Sequence, residues 1–334
     1  MNVTANDTRR RRLGAGGPMV SAVGLGCMSF GGFYGPADLQ ESLATLARAS
    51  ELGIDHLDTS NRYGEGVSEE VMGIYLKDHP SAFTIATKGG IISKPVRHYD
   101  NSPEALRASL EASLRRLGVE HVHLYYIHRR QQERPVEEVM ETLVRFKEEG
   151  KIGAIGLSEV APSTLERACA VHPVAAVQSE YSLWTRQPEL GLIQACERHG
   201  TALVAFAPVG RGMFTGRMPD VAALPDSDFR KKNPRFMEPN LGFNLKAASR
   251  FVDYARDLGH APASLAIAWI LARAPHILPI PGTRRPDHIA ECAAGMDIAL
   301  SPAQMAEIEQ LLPVGFAHGD RYSDVQLNGI ERYC

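Results

Sequence analysis

The sequence repeats one type of unit along its length: a short apolar segment, a polar turn and an amphipathic helix. Strands that alternate with helices in this way run parallel and are joined by right-handed crossovers. Eight such units predict a closed (β/α)8 barrel of the TIM type. The eight candidate strands are Ala22–Cys27, Ile54–Leu57, Phe83–Thr87, Val122–Ile127, Ile152–Leu157, Ala175–Gln178, Ala202–Phe206 and Ile277–Ile280.

An open, doubly wound sheet is the alternative for such an alternation. That fold usually carries a GxGxxG motif after its first strand, and the stretch Gly24-Leu25-Gly26-Cys27-Met28 does not complete one. The 334 residues could form two domains by length alone, but α/β barrels of this size form one. We therefore expect one barrel domain over residues 1–334, with residues 1–13 as a flexible arm. A proline-rich loop, Arg211–Asn244, should follow strand seven, and residues 313–334 should form a C-terminal tail over the barrel mouth.

Capping signals place several of the helices. Ser102 precedes Pro103 as an N-cap precedes a first helical turn, and Gly53 stands where a helix would end. The patterns predict helices at Leu39–Leu52, from Ser102, from Pro135 to Gly150, at Ser163–Ala170, at Pro188–His199 and at Ser301–Leu312.

Composition excludes several classes of protein. The net charge of −3 argues against nucleic-acid binding by bulk charge. The five cysteines include no CxxC pair, which argues against a disulfide framework or a cysteine zinc site and favours a reducing, cytoplasmic compartment. No apolar run reaches the ~20 residues of a membrane helix. The arginines Arg9–Arg12 are not followed by the apolar segment of a signal peptide.

Polar residues gather where the predicted strands end. Asp58, Lys88 and His128 follow strands two, three and four, Ser158-Glu159 follows strand five, and Gln178 ends strand six. Active sites of (β/α)8 barrels lie at this end of the strands. A single such residue could be a turn residue, but five consecutive strand ends predict an active site on one rim.

Asp58, Tyr63, Lys88 and His128 form a coherent set for proton transfer. A free tyrosine has a pKa near ~10, and we expect the adjacent ammonium of Lys88 to lower it. Asp58 would keep a buried Lys88 charged, and His128 could hold a substrate oxygen. The set suits proton delivery to a carbonyl oxygen while a hydride donor attacks the carbon.

The sequence from Gly14 to Gly295 resembles the aldo-keto reductase family. Its motifs are most similar to those of the bacterial and plant branch called perakine- or pyridoxal-reductase-like. The matching stretches are Val23-Gly24-Leu25-Gly26, Leu57-Asp58-Thr59-Ser60 with Tyr63-Gly64, Ala86-Thr87-Lys88, Leu124-Tyr125-Tyr126-Ile127-His128-Arg129, Gly150-Lys151-Ile152 with Gly156-Leu157-Ser158, Gln178-Ser179-Glu180-Tyr181-Ser182-Leu183-Trp184, Pro208-Val209-Gly210-Arg211-Gly212, and Ile280-Pro281-Gly282-Thr283-Arg284.

The resemblance implies an NADPH-dependent oxidoreductase that reduces a small aldehyde or ketone. Tyr63 would be the general acid, Lys88 and Asp58 would tune it, and His128 would orient the substrate. The cofactor residues carried over from the family are Gly26, Met28, Ser158, Glu159, Gln178, Phe206, Pro208, Val209, Gly210, Arg211, Gly212, Gly282, Thr283, Arg284, His288, Glu291 and Cys292.

Specific contacts follow from the same resemblance. Ser158 and Gln178 would hold the nicotinamide carboxamide, with Glu159 where many relatives have Asn, and Phe206 would stack on the ring. Thr283 and Arg284, with Arg285, would take the 2′-phosphate. The residue types alone also predict a phosphate site at this position, because helix amides and guanidinium groups suit a phosphate. The alternative is that Arg284 and Arg285 are two solvated arginines on a turn.

Two positions depart from the family pattern, and four others are candidates for contact with the substrate. Gln131 replaces an Asp and Cys292 replaces an Asn. Candidate residues for the substrate wall are Phe33, Tyr34, Arg129 and Trp184.

Two other functions compete with the reductase. A metal-dependent hydrolase would use His121 and His123, but strand alternation points both toward the helices at the wrong end of the strand. A regulatory barrel that binds NADPH without turnover is the other alternative. We expect no metal, no nucleic acid and no membrane as partners.

Overall fold

A closed parallel barrel forms the centre of the protein. The computed structural model describes residues 9–93, 95–218, 220–226 and 228–333. Its strands are β1 (Arg10–Arg12), β2 (Met19–Ser21), β3 (Leu25–Gly26), β4 (His56–Asp58), β5 (Thr84–Gly89), β6 (Ile91–Ile92), β7 (His98–Tyr99), β8 (Val122–Ile127), β9 (Ile152–Ser158), β10 (Ala176–Glu180), β11 (Ala202–Phe206) and β12 (Ile277–Ile280). The central sheet has the order β3-β4-β5-β8-β9-β10-β11-β12. A parallel bridge between Gly26 and Gly282 joins its two edges, so the sheet closes.

Helices follow each barrel strand and cover the outside of the sheet. They are α1 (Leu39–Glu51), α2 (Val67–Asp78), α3 (Pro103–Leu117), α4 (Val136–Glu148), α5 (Pro162–Val171), α6 (Leu192–His199), α7 (Asn240–Asp257), α8 (Pro262–Arg273), α9 (Pro286–Ala293), α10 (Pro302–Leu311) and α11 (Asp324–Leu327). In the described part of the chain, no helix is both long and apolar enough to cross a membrane. The predicted (β/α)8 barrel is confirmed.

The predicted caps and bounds hold in most elements. Ser102 and Ser301 accept hydrogen bonds from Ala105 N (3.3 Å) and Gln304 N (3.2 Å) and so cap α3 and α10. The helix expected at Pro188–His199 begins only at Leu192, because Gly191 has a φ of +123°, which is outside the helical region. The loop expected at Arg211–Asn244 is also shorter, because α7 begins at Asn240.

The expectation of a flexible arm is wrong for residues 10–12. These residues form β1, which pairs antiparallel with β2. Arg11 donates to the carbonyl oxygens of Leu271 (2.6 Å), Ala274 (2.7 Å) and Ile277 (2.5 Å), and burial lowers its pKa to about 10. Residues 1–8 lie outside the described part of the chain.

The barrel interior is filled with side chains except at its C-terminal face. Leu13 and Val20, next to and within the β1–β2 hairpin, pack with interior residues of the barrel. The interior residues of this cluster are Ala86, Leu124, Tyr126, Ala176, Ala202, Val204, Leu278 and Ile280. A ligand must therefore be bound at the C-terminal ends of the strands, where the predicted site residues lie.

Candidate active site

The structure brings Asp58, Tyr63 and Lys88 together at the C-terminal ends of β4 and β5. Parallel register pairs Asp58 with Ala86, which sets Lys88 just above the carboxylate. The Lys88 ammonium donates to the Asp58 carboxylate, to Thr59 O (2.8 Å) and to Tyr63 Oη (3.3 Å). All three hydrogens of the ammonium therefore have acceptors, and one acceptor is the phenol.

Burial sets the protonation states of this group. Although burial alone lowers the pKa of Lys88, the charge of Asp58 and the hydrogen bonds to Asp58 and Tyr63 raise it above its ordinary value. Burial raises the pKa of Tyr63, and the lowering by Lys88 only partly offsets this. Lys88 lowers the tyrosine pKa as expected, but burial, which the sequence does not give, outweighs this effect. Tyr63 is a protonated phenol at neutral pH, which is the form that an acid requires.

His128 lies next to the phenol at the end of β8. Its ring stands edge-on to Tyr63, with centroids 5.8 Å apart and an interplanar angle of 89°. Burial, followed by the charges of Arg129 and Lys88, lowers the pKa of His128 well below its usual range. The imidazole is therefore neutral. Its Nδ1 lies 3.0 Å from the Ser60 hydroxyl. Sequence reasoning missed this partner, although Ser60 belongs to one of the stretches that match the family.

Gln178 and Ser158 face the same rim from β10 and β9. Gln178 Nε2 donates to the second oxygen of Asp58 (2.7 Å). Ser158 Oγ accepts a hydrogen bond from Arg129 (3.1 Å). Phe206, at the end of β11, is half-buried and pairs in register with Glu180. These positions surround the tetrad of Asp58, Tyr63, Lys88 and His128.

The segment after β11 lies across this face. Ala207, Gly210, Arg211 and Gly212 all have positive φ, so the backbone turns tightly from Pro208 through Val209. The Arg211 side chain turns inward and binds the Glu180 carboxylate (2.8 Å), Tyr34 Oη (3.1 Å) and Tyr322 Oη (3.2 Å). Only its backbone is therefore available to a cofactor in this arrangement.

The segment after β12 has the features of a phosphate site. No N-cap side chain accepts a hydrogen bond from the first turn of α9, as is also true of α2 and of α4 to α8. Arg284 donates to Tyr34 O (3.2 Å), while Arg285 pairs with Asp287 (3.1 Å). Thr283 accepts from Arg285 N (3.0 Å). Gly26 and Gly282 form the closing bridge beside it, and Met28 follows half-buried.

Comparison with known proteins decides the family. The sequence model of the Aldo/keto reductase family matches residues 22–313. The chain belongs to this family. It is 37% identical over 315 residues to an aldo-keto reductase of Schizosaccharomyces pombe, yakc [NADP(+)], covering 92% of this chain and 93% of that one. It is also 37% identical over 326 residues to "probable aldo-keto reductase 1" of Glycine max, covering 96% and 93%.

Solved structures of the family share the fold. The glycerol dehydrogenase AKR11B4 from Gluconobacter oxydans superposes with a TM-score of 0.83 at 28% identity, covering 91% of this chain and 95% of that chain. The thermostable aldo-keto reductase Tm1743 gives a TM-score of 0.71 at 27% identity, covering 90% and 99%. The resemblance to the family is confirmed, and the branch stays a prediction.

Glu159 differs from its expected role in an aldo/keto reductase. Its carboxylate binds Arg321 (2.6 Å) through one oxygen and accepts from Glu180 N (2.9 Å) and Ser179 Oγ (3.2 Å) through the other. Its carbonyl accepts from Glu331 N (3.0 Å). The side chain therefore anchors the C-terminal tail to the barrel and is not free for a carboxamide. Sequence reasoning missed Arg321.

Of the expected cofactor residues on α9, one forms an ion pair elsewhere and one is buried. Glu291 forms an ion pair with Arg217. Cys292 is buried, and burial raises the pKa of its thiol to about 12, so it is inert. His288 is half-buried on α9, and burial lowers its pKa.

Two of the residues expected to line the substrate pocket, Phe33 and Trp184, differ in their exposure. Phe33 is exposed and packs against Tyr34 and Phe229, with ring centroids 5.5 and 5.6 Å apart. Trp184, also expected there, is 4% exposed and packs edge-on between Phe214 and Phe236.

Gln131 replaces the usual Asp without loss of order in its loop. Its side chain accepts from Asn101 N (3.0 Å), and its backbone N–H donates to Asn101 Oδ1 (2.8 Å). Asn101 also donates to Arg129 O (3.2 Å). This exchange fixes the loop that follows His128.

The histidines of the hydrolase alternative lie at the other end of β8. His123 Nδ1 accepts the amide of Ile85 (3.1 Å), and His121 is exposed. No group of three His, Cys, Asp or Glu side chains is arranged to hold a metal ion within the described ranges.

Proposed function

We propose that this aldo/keto reductase reduces an aldehyde or ketone to the alcohol with NADPH, and that Tyr63 donates the proton. The observation that carries the proposal is the contact of a protonated Tyr63 phenol with the charged Lys88, itself bound by Asp58. The family and the NADP(+) in the name of the Schizosaccharomyces pombe relative support it.

The residues present fit NADPH. The uncapped first turn of α9, with Thr283 and Arg284, offers amide, hydroxyl and guanidinium donors that suit the 2′-phosphate. Ser158 and Gln178 offer a hydroxyl and an amide for the carboxamide, and the half-buried Phe206 offers a ring face. When bound, NADPH supplies the hydride.

The side chains of the tetrad handle the proton. Tyr63 Oη gives its proton to the carbonyl oxygen as negative charge develops there. The phenolate that remains is stabilised by the Lys88 ammonium at 3.3 Å, and Asp58 keeps that ammonium charged. The neutral His128 orients the carbonyl oxygen next to the phenol.

We also propose the setting of this reaction. The chain would act as a single domain over residues 1–334. It would belong to the oxidoreductases that act on the CH–OH group of donors with NADP as acceptor. The described cysteines Cys27, Cys169, Cys196 and Cys292 are free thiols, which supports a reducing compartment and hence the cytoplasm.

The test is turnover of NADPH with a panel of aldehydes and ketones. We expect NADPH oxidation in step with formation of the alcohol. Tight NADPH binding without oxidation by any member of the panel would favour the regulatory barrel instead.

A further inference from the structure

Cationic side chains surround the imidazole of His128. Burial is the largest cause of the lowered pKa of His128. The charges of Arg129, Lys88, Arg97 and Arg62 are the next largest causes. Arg129 is the next residue of the chain, and Lys88 contacts the neighbouring Tyr63. Four cationic side chains therefore lie close enough to act on the imidazole.

Only part of this positive charge is neutralised by the protein. Lys88 pairs with Asp58, and Arg62 pairs with Glu65. In the described ranges, no carboxylate lies within 4.0 Å of the guanidinium of Arg129 or Arg97; Arg97 lies instead over the ring of Tyr99, 5.8 Å from its centroid.

Glu159 does not supply the missing carboxylate. Its pKa is lowered in part by the charge of Arg129, so the two are close enough to interact. Its oxygens, however, are bound by Arg321 (2.6 Å), Glu180 N (2.9 Å) and Ser179 Oγ (3.2 Å). Among the described residues, the hydrogen-bond partners of the Arg129 guanidinium are thus a carbonyl and a hydroxyl oxygen, and none is a carboxylate.

Arg129 is also held in place. Its Nη1 donates to His128 O (2.6 Å) and Ser158 Oγ (3.1 Å), and its own carbonyl accepts from Asn101 (3.2 Å). A guanidinium carries five N–H groups. Those on Nε and Nη2 have no acceptor among the described residues. They are a fixed, half-buried pair of donors beside the catalytic histidine.

We propose that the substrate of this reductase carries an anionic group, a carboxylate or phosphate, a few atoms from its carbonyl, and that Arg129 binds this group. Arg97 adds to the attraction from the exposed rim. The inference rests on the proposed function, because it concerns the same site. The planar fork of an arginine matches both anions, which can accept two parallel hydrogen bonds.

The experiment compares matched charged and neutral substrates on the NADPH-loaded enzyme. The pairs are 4-carboxybenzaldehyde with its methyl ester, and glyceraldehyde 3-phosphate with glyceraldehyde. We expect kcat/KM to favour the anion of at least one pair by about 10- to 100-fold, the worth of a charge-assisted hydrogen bond. The pair that shows the preference identifies the anion as carboxylate or phosphate.

Substitutions assign the preference to its residue. Arg129→Gln should bring the charged-to-neutral ratio of kcat/KM close to one, and Arg129→Lys should keep only part of it. Arg97→Gln, at an exposed residue that need not affect folding, should lower the ratio by about two- to threefold. Arg198→Gln, at an exposed arginine paired with Glu166, is the matched control and should leave the ratio unchanged.

The opposite results overturn the inference. A ratio near one or below for both pairs in the parent enzyme would do so, as would a preference that persists in both Arg129→Gln and Arg97→Gln. If the neutral aldehydes are reduced and the anions are not favoured, the inference fails while the proposed function stands. If no member of either pair is reduced, the proposed function fails, and this inference fails with it.

Discussion

The Ser60 hydroxyl lies 3.0 Å from His128 Nδ1 and fixes the imidazole from behind. Ser60 Oγ already accepts the amide of Arg62 (3.1 Å), so its own proton is available to Nδ1. The competing acceptor, Asn61 Oδ1, is farther away at 3.3 Å. We infer that Ser60 donates to Nδ1, since this acceptor is the nearer one, which would leave the imidazole proton on Nε2, the nitrogen that can donate to a substrate oxygen.

The first prediction follows from this contact. Ser60→Ala should lower kcat about fivefold, since a hydrogen bond is worth about 1 kcal/mol. It should also change the ¹⁵N shifts of the His128 ring toward a mixture of tautomers. Ser163→Ala, at an exposed helical serine, is the control. Unchanged ring shifts in Ser60→Ala would show that another group sets the tautomer.

The second prediction concerns Asp58. In Asp58→Asn, Lys88 loses the charge that opposes burial, so the Lys88 pKa falls. Carbonyl reduction should then decline at a lower pH than in the parent enzyme, because Lys88 becomes neutral and no longer stabilises the phenolate. The measurement is the pH profile of kcat. A profile with the same alkaline limit would contradict this role.

The third prediction concerns the anchored tail. Glu159 and Arg321 are both buried and form an ion pair at 2.6 Å. Glu159→Gln should lower the free energy of unfolding by about 3 kcal/mol, because Arg321 keeps a buried charge. Arg321→Met should have a similar effect, and the double variant should lose less than the sum. Additive effects in urea unfolding would mean that the pair is not coupled.

The fourth prediction concerns stability at mildly acidic pH. Burial lowers the pKa of His56, whose two ring nitrogens have no partner within the described structure. The unfolded chain therefore binds a proton near pH 6.5 that the folded protein does not accept. Stability should fall as the pH drops through this value.

The measurement is the urea midpoint at pH 7.5 and 5.5. His56→Leu should reduce the difference between the two midpoints, whereas His199→Gln, at an exposed histidine, should not. Equal differences in parent and His56→Leu would show that His56 does not contribute.

The barrel and its tetrad could be predicted because local patterns specify them. Buried strands read as short apolar runs, and the residues that follow them must meet on one face of a closed barrel. The predicted strands Val122–Ile127, Ala202–Phe206 and Ile277–Ile280 agree residue for residue with the structure.

Other features depend on tertiary contacts that no local pattern records. Glu159 and Arg321 are 162 positions apart and meet only because the tail crosses the mouth. The arginine run resembles a solvated arm, yet Arg11 finds three carbonyl oxygens near the end of α8 and the start of β12. The net pKa shift of Tyr63 depends on its burial, which the sequence does not give.

The account depends most directly on Tyr63 as the proton donor. In Tyr63→Phe we expect NADPH to bind with a Kd within about twofold of the parent value, because the phenol is not among the groups proposed to hold it. Single-turnover oxidation of bound NADPH by an aldehyde should slow by about 10²- to 10⁴-fold, the usual worth of a general acid. An unchanged single-turnover rate constant in Tyr63→Phe would contradict the assignment.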